Sequence, residues 1–179
     1  AGEAFGENYE LPNMTAYNET CAAISMVYLF ERMFLLHGES KYIDCMERTL
    51  YNGVISGMSM DGGRFFYPNP LSSDGKYKFN ADGNTTRQPW FGCACCPSNL
   101  CRFIPSVPGY LYGVKDNNIY VNLFAGNTST IKVNGKDVVL EETTEYPWNG
   151  DIKIAVKKSG VKNANLLVRI PGWVRNQVV

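Results

Sequence analysis

The stretch Thr20-Cys-Ala-Ala-Ile-Ser-Met-Val-Tyr-Leu-Phe-Glu-Arg-Met-Phe-Leu-Leu-His37 carries only Ser25, Glu31 and Arg32 as distinctly polar residues between its ends. Ile24, Val27, Tyr28, Leu29, Phe30, Met33, Phe34, Leu35 and Leu36 cover most of a helical circumference, so the spacing predicts a helix buried nearly all round. His37-Gly38 closes it in C-cap fashion. Ile43, Met46 and Leu50 then predict a second helix over about 41–50, before Asn52-Gly53. The two read as an αα-hairpin. The rest of the sequence supplies only one more short helix, so the first helix lacks neighbours to bury against, and further helices are expected upstream of residue 1.

Downstream, residues 61–90 are rich in Gly, Asn, Asp and Pro, with Arg64-Phe-Phe-Tyr67 as an expected short strand and Asp74-Gly75 and Asp82-Gly83 as turns. A connecting region of this length is more often functional than idle. After Pro97 a short helix is expected to about Ile104, stopped by Pro105. From Tyr110 the period changes to two. Strands are expected over 110–114, 119–124, 130–133, 138–140, 152–156 and 166–170, with Asn134-Gly135 as a type I′ hairpin turn. This is an α+β chain. A helical part over 1–108 leads into the start of an antiparallel β-sandwich over 109–179, which lacks a closing strand after Trp173 and reads as a segment of a longer protein.

With 179 residues, 45% of them hydrophobic and 19% charged, the chain is too apolar for disorder. Its 17 basic residues balance 17 acidic ones, so no strong field steers it onto nucleic acid. No uninterrupted apolar run reaches the roughly 18 residues of a span, and no membrane association is expected. Only one histidine is present, His37, so mechanisms that need a histidine beside a nucleophile and zinc sites built on two histidines are not expected. Chemistry falls to carboxylates and thiols. Aromatic residues at 13% suit a carbohydrate-facing cleft and equally an ordinary β-rich core.

Four of the six cysteines crowd into residues 93–101. Glu19-Thr-Cys21 and Cys93-Ala-Cys-Cys-Pro97 both fall at predicted helix N-termini, where unpaired N–H groups and the helix dipole favour thiolates and carboxylates. Glu19 and Cys21 do not share a helix face, but converge if the chain enters its helix through an extended turn. With Cys95 and Cys96 they make a zinc site of tetrahedral type. Two alternatives stay open: a vicinal Cys95–Cys96 disulfide, and Cys21 or Cys93 as small buried hydrophobes. Cys45 and Cys101 are expected to be core thiols.

Gly2-Glu-Ala-Phe-Gly6, Leu11-Pro-Asn13, Tyr17-Asn-Glu-Thr-Cys-Ala22, Leu50-Tyr-Asn-Gly53, Trp90-Phe-Gly-Cys-Ala-Cys-Cys-Pro97 and Arg169-Ile-Pro-Gly-Trp173 together resemble the β-L-arabinofuranosidases of glycoside hydrolase family 127. The resemblance implies an (α/α)6 barrel, here its C-terminal part, followed by a β-sandwich. It implies zinc held by Glu19, Cys21, Cys95 and Cys96, with Cys95 also the nucleophile, Glu3 the acid/base catalyst and Tyr67 a sugar contact. The implied substrate is an arabinofuranosyl oligosaccharide or glycoconjugate, and the segment alone is expected to be inactive. Two other classes remain beside this reading: a zinc-stabilised structural or carbohydrate-binding module, and a secreted domain with disulfides.

Overall fold

The structure, a computed structural model, describes residues 3, 4 and 6–174. Gly2 and Phe5 of the Gly2–Gly6 motif, and the tail 175–179 on which the expected absence of a closing strand rests, lie outside the described residues. The fold is α+β and divides into two compact units, one of residues 1–33 and 44–105, the other of 34–43 and 106–179.

Helix α1 (Thr20–His37) and helix α2 (Ser40–Thr49) appear where the apolar spacing puts them. Burial of α1 is one-sided: Thr20, Ile24, Val27 and Phe34 are buried, while Met26, Tyr28, Leu29, Leu35 and Leu36 are exposed. Against expectation, α1 is long and apolar enough, by length and composition, to cross a membrane, because its three polar residues leave an 18-residue mean hydropathy of 1.2. On α2, Ile43, Met46 and Glu47 turn inward, as does Leu50 just beyond it, and Cys45 falls off that face and is exposed, which corrects its reading as a core thiol. The helix runs on through a π-helical turn (Leu50–Val54) and a 3₁₀ turn (Ile55–Gly57). Gly53 and Gly57 permit close approach to α1: a Cβ at Gly53 would lie 2.9 Å from Ala23 Cβ, and one at Gly57 2.7 Å from Thr20 Oγ1.

The strand expected at Arg64–Tyr67 does not form. Phe65 makes only single bridges, to Met58 and Gln88. Tyr67 N–H is taken by the Asn80 side chain at 2.8 Å, and Pro68 has no N–H to extend a ladder. The two Asp-Gly turns are present, with Gly75 at φ +74° and Gly83 at φ +72°. Helix α3 (Cys95–Phe103) starts two residues earlier than expected, placing Pro97 third. It buries Cys96, Pro97, Leu100 and Phe103, so Cys101 projects off that face and is exposed, a second correction to the core-thiol reading.

Among the described residues, the other unit contains six strands: β1 (Tyr112–Lys115), β2 (Asn118–Val121), β3 (Asn127–Val133), β4 (Lys136–Thr144), β5 (Ile152–Ser159) and β6 (Asn165–Val168). They form two three-stranded sheets, ordered β1-β2-β6 and β3-β4-β5. Ile119 from the first packs with Ile131, Val133, Val138 and Leu140 from the second, flanked by Tyr112 and Val161. Asn134 (φ 49°) and Gly135 (φ 76°) make the expected primed turn between β3 and β4. One pairing departs from the antiparallel expectation: β6 lies parallel to β2, with Asn118 opposite Asn165 and Val121 opposite Val168. The whole β3-β4-β5 sheet intervenes between them, which gives the long crossover that a parallel pair requires.

Candidate functional site

Glu19 is the last residue before α1. It pairs in extended form with Pro68, while its carbonyl accepts the first helical hydrogen bond from Ala23 N–H at 3.0 Å. Asn18, at φ 30°, turns the chain into that position. Glu19 is thus still extended when Cys21 is already helical, and the two side chains converge, as the extended-entry reading requires. Thr20 locks the junction: its N–H donates to Tyr67 O and its hydroxyl to Phe66 O, each at 3.0 Å. Cys95 and Cys96 are the first two residues of α3, where the helix offers unpaired N–H groups.

These two helix starts meet. Glu19 Oε1 lies 3.6 Å from both Cys95 Sγ and Cys96 Sγ. Cys21 Sγ lies 3.6 Å from Cys95 Sγ, and the Cys95 and Cys96 sulfurs are 3.9 Å apart. All four ligand atoms fall within 4.8 Å of one another. A tetrahedral zinc ion with ordinary bond lengths requires S···S edges of about 3.8 Å and S···O edges of about 3.5 Å. The donor set fits that cage in both type and spacing. It does not fit a vicinal disulfide, since Cys95 and Cys96 are free. Cys93 is exposed and takes no part.

Burial governs the titration of the site's thiols. Burial pushes the Cys21 thiol up to about 11 and raises Cys96 further, with Cys21 adding to the effect. Without a cation the site favours protonated sulfur; a divalent cation reverses that preference.

Tyr67, the expected sugar contact, is buried with its ring edge-on to Phe91, and its hydroxyl lies 2.8 Å from Cys95 Sγ. That hydrogen bond, with burial next, holds the phenol strongly protonated. Asn80, buried, fixes the Tyr67 backbone through its Oδ1. Glu3 is not in the cluster: it is exposed on the N-terminal arm at φ 47°. Its charge is felt at Tyr17, whose phenol is pushed up to about 12 by burial and then by Glu19, Glu3, Cys96 and Cys95. Sequence reasoning missed Tyr17 and Asn80. For Tyr17 the only signal was its place two residues before Glu19.

A family model described as the β-L-arabinofuranosidase GH127 catalytic domain matches residues 1–109, and one described as the GH127 middle domain matches residues 118–179. The chain is 35% identical, over 97% of its length, to a non-reducing end β-L-arabinofuranosidase of Bifidobacterium longum subsp. longum, of which it covers 27%. Among solved structures it is similar to a GH127 β-arabinofuranosidase at 60% identity and TM-score 0.87, covering 96% of this chain and 26% of that one. It is also similar to a GH127 β-L-arabinofuranosidase from Geobacillus stearothermophilus T6 at 42% identity and TM-score 0.82, covering 97% and 28%. The chain spans 26–28% of the length of these relatives.

Proposed function

Because the chain belongs to the GH127 β-L-arabinofuranosidase family, we propose that it is part of a retaining glycoside hydrolase that releases L-arabinofuranose from β-L-arabinofuranosyl oligosaccharides or glycoconjugates. In this reading residues 1–108 are the end of a helical-barrel catalytic domain and residues 109–179 the start of a β-sandwich domain. The observation that carries it is the meeting of Glu19, Cys21, Cys95 and Cys96 at a point sized for one tetrahedral cation. These four residues would hold zinc, which when bound keeps the thiols ionised near neutral pH.

Cys95 is the nucleophile. Of the adjacent pair it is half-buried, whereas Cys96 has no exposed surface from which to reach a sugar. The Tyr67 hydroxyl lies 2.8 Å from Cys95 Sγ, so once that sulfur is ionised the hydroxyl turns donor toward it and orients it. In the first step a lone pair of Cys95 Sγ bonds to the anomeric carbon as the bond to the aglycone oxygen breaks, and the Glu3 carboxyl gives its proton to that oxygen. In the second, the Glu3 carboxylate takes a proton from water, whose oxygen bonds to the anomeric carbon as the carbon–sulfur bond breaks. The Cys95 thiolate is restored. Two inversions retain configuration.

The test uses the full-length protein. Elemental analysis should find one zinc per chain, and Cys95→Ala and Glu3→Gln should each lower turnover at least about hundredfold. A haloacetamide derivative of arabinose should label Cys95 selectively. Undiminished turnover in Cys95→Ala sinks the proposal, and equal labelling of all six cysteines favours a structural zinc module instead.

A further inference from the structure

Tyr67 brings its hydroxyl to 2.8 Å from Cys95 Sγ out of a segment that forms no strand, so its main chain has to be held by other means. The start of α1 holds one end of it, Thr20 N–H donating to Tyr67 O at 3.0 Å. The other end is held by Asn80, thirteen residues further on and 3% exposed. Asn80 Oδ1 accepts from Tyr67 N–H at 2.8 Å and from Ala81 N–H at 3.0 Å. Its Nδ2 donates to Thr86 O at 2.9 Å and to Phe65 O at 3.4 Å. A side-chain amide has two donor hydrogens and an oxygen with two lone pairs, and here all four are used. The rotamer is therefore fixed. The main chain of Asn80 is fixed as well, its N–H donating to Asn84 O at 2.9 Å.

We infer that Asn80 is a positioning residue for the sulfur that attacks the sugar, acting through Tyr67: by accepting the Tyr67 N–H it sets the main chain from which the phenol reaches Cys95 Sγ. The inference rests on the reading of Cys95 as the nucleophile. Every hydrogen bond of the Asn80 side chain goes to main chain, so its influence on Cys95 runs through the Tyr67 segment. Without Asn80 the buried Tyr67 N–H loses its acceptor, and the segment must shift to recover one. A displacement of about 1 Å at a reacting group can cost about hundredfold in rate.

The experiment is a double-mutant cycle on the full-length, zinc-loaded protein: wild type, Asn80→Ala, Tyr67→Phe and the pair together. Turnover of an aryl β-L-arabinofuranoside and the rate at which a haloacetamide derivative of arabinose alkylates Cys95 are measured, with circular dichroism and zinc content as checks on folding. If Asn80→Ala does not fold, Asn80→Ser, whose side chain is one atom shorter, carries the cycle. Each single variant is expected to slow both rates about 10–100-fold with zinc retained, and the double variant to stay within about twofold of the slower single one. A merely structural asparagine would give losses that multiply. Multiplying losses, a folded Asn80→Ala within about twofold of wild type, or failure of both Asn80 variants to fold would each overturn the role of Asn80 alone. Undiminished turnover in Cys95→Ala, run alongside, would overturn it together with the nucleophile reading.

Discussion

At the scale of single residues, the site is defined by groups whose protons are held too tightly for the work assigned to them. The Cys21 thiol is raised from 9.0 to about 11, mainly by burial, and Cys96 is raised as well. In the metal-free protein these thiols bind protons more firmly than in the unfolded chain. The stability they contribute is present below the unfolded thiol value, and it is lost as pH rises through the folded ones. The urea midpoint of the metal-free protein is therefore expected to fall between about pH 8 and about pH 11, while that of the zinc-loaded protein falls much less, its thiols having already released their protons. Calorimetry at neutral pH in buffers of differing ionisation enthalpy should show protons leaving as zinc binds. A midpoint that is flat with pH in the metal-free protein contradicts this account. The clustering of Glu19, Cys21, Cys95 and Cys96 was legible because carboxylate and thiols at helix starts are an unusual pattern. Tyr17 and Asn80 were not, since a tyrosine or an asparagine is as common on any surface.

Among the elements, the start of α1 is positioned by a short relay. Phe66 N–H donates to Gly57 O at 2.7 Å, Thr20 O–H donates to Phe66 O at 3.0 Å, and Thr20 itself is fully buried. Gly57→Ala would drive a Cβ to 2.7 Å from Thr20 Oγ1. It is expected to destabilise by about 1–3 kcal/mol and to weaken zinc binding by shifting Glu19 and Cys21, which chelator competition on the purified variant checks. A melting temperature and zinc affinity equal to wild type would show that Thr20 does not transmit the strain. On β4 the register that buries Val138 and Leu140 also buries Glu142, whose Oε2 bonds to Tyr112 and Asn127 while Oε1 has no partner. Burial raises its pKa, so its favourable protonated form prevails at acid pH and the stability it contributes is lost as pH rises past the carboxylate range. Glu142→Gln should remove that dependence: its melting temperature is expected to exceed wild type near pH 7 and to match it near pH 4. A difference independent of pH would refute the assignment. The helices and all six strands were legible from apolar period and turn residues. The Arg64–Tyr67 strand was misread because the pattern cannot show that Asn80 takes the N–H a strand needs.

For the whole molecule, the exposed side of α1 matters most. Met26, Tyr28, Leu29, Leu35 and Leu36 are all exposed, Leu36 at 76%. Apolar surface of that continuity promotes association. The 179-residue polypeptide by itself is expected to self-associate and to bind a hydrophobic dye more strongly, per chain, than the full-length protein, and to release no arabinose from an aryl arabinofuranoside. Light scattering and a hydrolysis assay check both, and monodisperse, dye-silent material with turnover near that of the longer protein would contradict them. Local pattern alone determined that this chain has two long helices, a helix at the paired cysteines and a run of short strands, because backbone torsions and buried faces follow from periods of 3.6 and 2 and from where Gly, Pro and Asn interrupt them. Tertiary structure alone decided that Glu19 meets a sulfur 76 positions away, that β6 returns parallel to β2, and that Cys45 and Cys101 face outward. Each of those depends on which distant surfaces are buried together, and no window of sequence contains both partners.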